Sequence, residues 1–388
     1  MKIQMVDLKS QYEKIKNEVD SGIQEVINNT QFIKGPQIKV FEDNLASYLG
    51  VRNVIACANG TDALQIAMMA LGLKPGDEII LPVFTYVATA EVIALLGLVP
   101  VMVDVDAETF CIDTNLIESK ISVRTKAIVP VHLFGQCANM DEVMRIASKH
   151  NLFVIEDTAQ AIGAKYRVQN SDSRIQNGSS QEPDARCHSA GCIGTVGTTS
   201  FFPSKNLGCY GDGGALMTND DELAKKIRMI CNHGQSVQYV HDEIGVNSRL
   251  DSIQAAVLNA KLPHLKEYEN SRNQAANWYD ELLGDNSNLI IPKRNQQSTH
   301  VFHQYTLKIV GADRNLVRKK LAEKGIPSMV YYPIELHKQK AFEKYHSVGD
   351  TFAVSEQLCQ TVLSLPMHTE MTREMVEYVC AALIECLK

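Results

Sequence analysis

Apolar residues recur at steps of three and four near the start of the chain, where Leu8, Tyr12, Ile15, Val19, Ile23 and Val26 would line one face of a helix over 7–29. A second helix is expected from Gln37 to Leu49, stopped by Gly50. The pattern then changes. Short apolar runs at Asn53–Ala58, Glu78–Leu81, Val99–Asp104, Lys126–Val131 and Leu152–Glu156 alternate with helical stretches that begin near Thr61, Ala88, Thr114 and Asn139. Uninterrupted apolar strands separated by helices predict a mostly parallel sheet with both faces covered.

Residues 167–194 break this rhythm with a stretch rich in Ser, Asn, Gln and Gly, expected to be a surface loop or flap lying in solvent. Apolar runs resume at Thr198–Phe202 and Gly214–Thr218, followed by a helix from Asp220 to Cys231. A long helical stretch from Leu250 is interrupted by Pro263. Beyond it, Tyr305–Val310, Arg314–Lys324, Ser328–Tyr331 and Thr372–Leu387 suggest a smaller α/β unit. The expected division is a large domain over 1–262 and a small C-terminal domain over 263–388.

Composition narrows the class without changing this picture. The chain has 388 residues, 45% hydrophobic and 21% charged, which excludes a disordered chain and a membrane bundle. Its longest apolar run, Val92 to Val103, is broken by Gly97 and Pro100 and falls short of the roughly 20 residues of a spanning helix. The charged N-terminal stretch has no apolar centre, so no signal peptide is expected and the protein is placed in the cytoplasm. A net charge of −7, spread along the chain, argues against a nucleic-acid partner. The 10 cysteines include no CxxC pair, so free thiols are expected. Cys187, His188 and Cys192 have a suggestive spacing but lack a second ligand pair, and no metal site is assigned to them.

Three segments could carry chemistry. Ala58-Asn59-Gly60-Thr61-Asp62 joins a strand to a helix, and the free N–H groups of such a turn can cradle a phosphate, although a plain helix cap has the same sequence. Glu156-Asp157 ends a buried parallel strand, where ligands collect in open α/β sheets; an Asp there can equally cap the next helix. Lys205 follows the apolar run Ser200-Phe201-Phe202 and precedes the glycine-rich Gly211-Asp212-Gly213-Gly214. A lysine held in a pocket loses its proton more readily and becomes nucleophilic. A phosphate cradle, a carboxylate for a pyridine nitrogen and an amine for an imine are together what pyridoxal phosphate requires.

The blocks FIKGPQ (32–37), ANGTDALQ (58–65), GDEIILPVFTYVATAE (76–91), TKAIVPVHLFGQ (125–136), IEDTAQAIGA (155–164), SFFPSKNLGCYGDGGA (200–215) and GVNSRLDSIQAA (245–256) resemble the DegT/StrS-type sugar aminotransferases. These are pyridoxal-phosphate enzymes of the aspartate-aminotransferase (type I) fold. The resemblance implies a large domain built on a mostly parallel seven-stranded sheet, plus a small C-terminal α/β domain. It is narrowest toward the branch that aminates UDP-2-acetamido-2-deoxy-3-oxo-D-glucuronate with L-glutamate, releasing 2-oxoglutarate, in lipopolysaccharide and surface-polysaccharide synthesis.

The resemblance implies that Lys205 is the cofactor-binding lysine and proton shuttle, with Asp157 at the pyridine nitrogen. It places Gln160 at the ring hydroxyl, Tyr86 and Ala159 on the two ring faces, and Gly60, Thr61 and Ser200 at the phosphate. Asn247 would reach that phosphate from a neighbouring subunit, implying a homodimer with composite sites. Arg249, Tyr331 and Tyr332 would contact the sugar nucleotide. Tyr331 stands where that branch has a histidine. The alternatives are an aminotransferase for a dTDP-linked 3-oxo or 4-oxo-6-deoxyhexose, a regulatory protein retaining the fold, and a sugar dehydratase, whose relatives have histidine in place of the lysine.

Overall fold

The computed structural model describes residues 3–169, 187–345 and 350–388. Its main sheet runs in the order Asn53–Cys57, Gly214–Thr218, Val196–Ser200, Phe153–Asp157, Thr125–Ile128, Glu78–Pro82, Val99–Val103. Gly214–Thr218 is antiparallel to both neighbours. The other strand pairs are parallel. The expected α/β architecture is therefore present, with strand ends displaced by three residues at most: Thr125–Ile128 ends three residues before the expected Val131, and Val196–Ser200 lies two residues before the expected 198–202.

Alternate side chains of each strand serve different cores, as the two-residue period requires. Ile55, Cys57, Ile79 and Leu81 pack with Leu64, Ile93 and Ile227 from helices on one face. Val54 and Ala56 face Phe41, Leu45 and Leu258 on the other, and Ile80, Ile128 and Val154 pack there with Met140 and Ile146. The single helix expected over 7–29 is two, Leu8–Lys14 and Lys16–Asn29, with Ile15 non-helical between them. Pro36–Leu49 ends as expected at Gly50, whose φ of 72° suits the residue without a Cβ.

The C-terminal residues build an antiparallel sheet of Leu289–Ile290, Tyr305–Ile309 and Val362–Leu365. Helices Arg314–Glu323 and Arg373–Cys386 and the end of Leu265–Leu283 cover it, and Leu307, Leu321, Leu363 and Val379 form its core. Ile3 joins this core, while Leu336, Phe342 and Phe352 pack against the main sheet. Asp104, just beyond Val99–Val103, accepts hydrogen bonds from Val354 N, Ser355 N and Ser355 Oγ at the start of Ala353–Thr361. The two layers are thus stitched by segments exchanged from both ends of the chain. Ser328–Tyr331, expected as part of the smaller α/β unit, forms no strand: only Met329 pairs, in an isolated bridge to Ser364.

The expectation of a solvent loop over 167–194 needs correction at its described C-terminal end, 187–194. Lys165–Arg167 pairs with Cys187–Ser189, and the residues after that hairpin are structural, not solvent loop. Gly191 N donates to Glu156 Oε2, and Ile193 N and Gly194 N donate to Glu156 Oε1, at 2.6–2.9 Å. The central part of the stretch, 170–186, lies outside the described residues. Cys187 is exposed and Cys192 half-buried, and among the described residues no three His, Cys, Asp or Glu side chains are placed to hold a metal ion.

Glu156 is fully buried, and its partners form a closed set. Ala138 N donates to His132 Nδ1, so His132 Nε2 carries the proton it donates to Glu156 Oε2 at 2.9 Å. Burial opposes the charge, but His132 and the N–H groups of Gly194 and Gly191 outweigh it and hold the carboxyl below its ordinary value. A depressed folded-state value stabilises the fold above the unfolded carboxyl's value, about 4.3, and the contribution is lost as pH falls through the folded value. Glu156→Gln should lower unfolding free energy by about 2–4 kcal/mol at pH 7 in a denaturant titration. The deficit should shrink as the titration is repeated at pH 4 and below.

Candidate active site

The turns that leave the main sheet at its carboxyl edge open into a cleft of about 670 Å³. Gly60, Thr61, Tyr86, Asp157, Ala159, Gln160, Ser200, Lys205, Tyr331 and Tyr332 all line it. Ten of the twelve residues singled out in the sequence therefore meet there.

The cradle at Gly60 is shaped by two close approaches. Helix Gly60–Ala70 is capped by Asn59, whose Oδ1 accepts from Asp62 N at 2.8 Å. This leaves the Gly60 and Thr61 N–H groups without intrahelical acceptors, at the positive end of the helix dipole. A Cβ at Gly60 would lie 2.7 Å from Ser200 Cβ, and one at Gly214 would lie 2.4 Å from the Asn59 carbonyl. Glycine at both positions lets the two strand ends approach, and the segment is a helix cap whose free N–H groups have the arrangement that could hold an anion.

Asp157 is held from two sides. Thr89 Oγ1 donates to its Oδ2 at 2.9 Å, and Ala159 N donates to its Oδ1 at 3.1 Å. Because neighbouring residues of a strand point to opposite faces, Glu156 serves the core while Asp157 serves the cleft. Lys205 lies in the loop after Val196–Ser200, with its N–H bonded to Phe202 O and its amine free of hydrogen bonds among the described residues. Burial pushes the amine down from 10.5 to about 8, against the opposing pull of the Asp157 carboxylate.

Gln160 bridges the two layers: its Oε1 accepts from Phe134 N at 2.8 Å, and its Nε2 donates to Tyr332 OH at 3.2 Å. Burial pushes the Tyr332 hydroxyl well above its usual value. The rings of Tyr86 and Tyr332 lie 6.3 Å apart, centre to centre, across the cleft mouth.

Asn247 and Arg249 do not line this cleft. Asn247 is exposed and opposes Asn232, while half-buried Arg249 has no hydrogen bond or ion pair among the described residues. Between them, Ser248 Oγ accepts from Ala58 N at 3.1 Å, tying their segment to the turn that precedes the cradle.

Sequence reasoning missed Thr85, Thr89, His303 and Gln304. Thr85 lines the cleft with a buried hydroxyl that has no hydrogen-bond partner among the described residues. Thr89 is a polar residue, fully buried, between Ala88 and Ala90 at the start of helix Ala88–Leu95, which was a usable signal. His303 and Gln304 precede Tyr305–Ile309, and nothing local marks them.

A family model described as the DegT/DnrJ/EryC1/StrS aminotransferase family matches residues 13–384. The chain is 46% identical over 98% of its length to a Pseudomonas aeruginosa protein named UDP-2-acetamido-2-deoxy-3-oxo-D-glucuronate aminotransferase, 99% of which is covered. It is 43% identical to a pleiotropic regulatory protein of Geobacillus stearothermophilus, over 99% of this chain and 98% of that one. It is 42% identical to an Acidithiobacillus ferrooxidans protein named UDP-N-acetyl-3-dehydro-alpha-D-glucosamine 3-aminotransferase, over 98% and 97%. Among solved structures, S. venezuelae DesV in complex with a ketimine intermediate matches with a TM-score of 0.91 and 34% identity, covering 100% and 99% of the two chains.

The Lys205 amine should titrate near pH 8 in cofactor-free protein. The rate at which that protein takes up added pyridoxal phosphate, followed by absorbance, should rise from pH 6 to 9 and then level off. Asp157→Asn removes the charge that favours the ammonium form, so its midpoint should move to lower pH.

Proposed function

The chain belongs to the DegT/DnrJ/EryC1/StrS aminotransferase family, and from that premise we propose that it transfers the amino group of L-glutamate to the 3-keto group of a UDP-linked sugar. The substrate supported best is UDP-2-acetamido-2-deoxy-3-oxo-D-glucuronate, and the aminated product would enter a surface polysaccharide such as lipopolysaccharide. The P. aeruginosa and A. ferrooxidans relatives are both named for 3-amination of a UDP-sugar, and this carries the choice of nucleotide and ring position.

The enzyme is a pyridoxal-phosphate-dependent aminotransferase. Its residues fit the cofactor on structural grounds: an amine pushed to about 8, a glycine cradle that a Cβ would fill, and an orphaned buried hydroxyl at Thr85. When bound, pyridoxal phosphate supplies a carbonyl carbon for the amine and a ring that withdraws electrons from the neighbouring carbon.

In this proposal the N–H groups of Gly60 and Thr61 and the Ser200 hydroxyl bind the phosphate. Asp157, oriented by Thr89 and Ala159, holds a proton at the pyridine nitrogen. Gln160, Tyr86 and Ala159 fix the plane of the ring. Lys205 Nζ would be the group that moves a proton between the two carbons flanking the transferred nitrogen. A value near 8 leaves the Lys205 amine able to accept and release that proton close to neutral pH.

Asn247 and Arg249 are read as contributions to the cleft of a second copy, making a homodimer with composite sites. Val237, Tyr239 and Ile244, on the segment leading to Asn247, are exposed apolar side chains, which supports a protein surface docking there. Arg249 has the planar fork suited to a uronate carboxylate, with Tyr331 and Tyr332 lining the sugar side. No helix among the described residues is long and apolar enough to cross a membrane, and we place the enzyme in the cytoplasm.

The test is the reverse reaction, in which purified enzyme should form glutamate from 2-oxoglutarate and UDP-2-acetamido-3-amino-2,3-dideoxyglucuronate. Arg249→Ala should raise KM for this uronate about tenfold or more while changing KM for the matching neutral UDP-hexose far less. Turnover only with a dTDP-linked 3-amino or 4-amino sugar would keep the mechanism and refute the substrate.

A further inference from the structure

The cleft contains a polar group that the proposed chemistry does not use. Gln304 is nine-tenths buried, lines the cleft and comes from the C-terminal layer, immediately before Tyr305–Ile309. Its amide orientation follows from its neighbours. Asn206, next to Lys205, donates from Nδ2 to Val301 O at 2.9 Å, so its Oδ1 is the end that faces His303 Nδ1 at 3.3 Å. His303 Nδ1 must therefore carry the proton, which leaves Nε2 as an acceptor. The group opposite Nε2, at 3.4 Å, is Gln304 Nε2. An amide nitrogen has only donors, so the donor and acceptor pattern closes without conflict along Asn206, His303 and Gln304. The atom left over is Gln304 Oε1, which receives no hydrogen bond among the described residues.

The backbone beneath this chain is equally constrained. The Arg272 guanidinium is buried, and its Nη1 donates to Phe302 O at 3.1 Å, His303 O at 3.5 Å and Met367 O at 3.2 Å. Phe302 holds a φ of 44°, and Val301 N and Gln304 N are bonded to Gly135 O and Phe134 O. Burial holds the His303 imidazole well below its ordinary value, with Lys205 and Arg272 pushing the same way, so the ring stays neutral in the tautomer the geometry requires. A buried amide fixed by two further side chains and an arginine-braced backbone is costly to order, and packing alone does not require it.

We propose that Gln304 is a specificity residue that reads the hexose of the sugar nucleotide, its amide oxygen presented as a fixed acceptor by the His303–Asn206 chain to an N–H or O–H donor on the sugar ring. This rests on the sugar-nucleotide substrate proposed above and adds a side chain from the C-terminal layer to its recognition. His303 and Asn206 are positioning residues, acting through Gln304.

Binding of unreactive nucleotides by the holoenzyme tests it by calorimetry. UDP-N-acetylglucosamine and UDP share the nucleotide and differ in the hexose, so the Kd for UDP divided by the Kd for UDP-N-acetylglucosamine isolates the hexose contribution. Gln304→Leu should reduce that ratio about tenfold, with the affinity for UDP itself little changed. His303→Leu, which frees the amide to rotate, should reduce it in the same direction. The double variant should be no worse than Gln304→Leu, because both changes remove one contact. An unchanged ratio in Gln304→Leu, or equal loss of both ligands, overturns the proposal, as do additive effects in the double variant. The ratio is read in the same way with dTDP-glucose and dTDP. Wild-type binding confined to that pair would refute the UDP substrate while leaving Gln304 judged by its own ratio.

Discussion

A lysine amine buried against the carboxyl edge of a parallel sheet, with a carboxylate alongside, is the constraint on which the rest of the structure depends. Removing an ammonium from water is costly, and here the cost appears as an amine shifted to about 8. Asp157 limits that shift and is itself fixed by Thr89, from a separate helix, and by Ala159, two residues on. The same strand turns its preceding residue, Glu156, the other way, where it closes the turn at 191–194. One strand thus supplies one carboxylate to the core and one to the cleft.

The cleft also joins the two layers. Gln160 ties the strand end at Asp157 to Tyr332, and Phe134 and Gly135 accept from the segment that carries His303 and Gln304. Asp104 fastens the start of Ala353–Thr361 to the main sheet. Under the proposed function, the residues assigned to substrate and cofactor share one connected frame, in which a shift of the C-terminal layer would be felt at Gln160 and Tyr332 first.

Much of this was legible in the sequence because it is local. Apolar runs marked the strands of the main sheet, and turn chemistry at Asn59-Gly60-Thr61 and the position of Asp157 and Lys205 at strand ends marked the cleft. What was not legible depends on contacts distant in sequence. The run Thr198–Phe202 was placed two residues late because Phe201 and Phe202 continue the apolar text beyond the strand's end at Ser200. Polar text after Cys187 concealed N–H groups that serve a buried carboxylate 35 or more residues away. Ile3, Leu336 and Phe352 cross between layers, which no local pattern announces. The place of Gln304 follows from side chains 97 residues apart.

Lys205 is not alone in its titration. Lys261 is also pushed down to about 8, buried beneath Tyr210 with its amine bonded to Gly208 O. Burial alone therefore does not distinguish the amine proposed to react: Lys205 opens on the cleft that Asp157 also lines, whereas Lys261 is bonded to a backbone carbonyl. Borohydride reduction of the holoenzyme, followed by digestion and peptide mass mapping, tests this distinction directly. The account predicts the reduced cofactor on Lys205; attachment at Lys261 or any other lysine, or no covalent label at all, would contradict it.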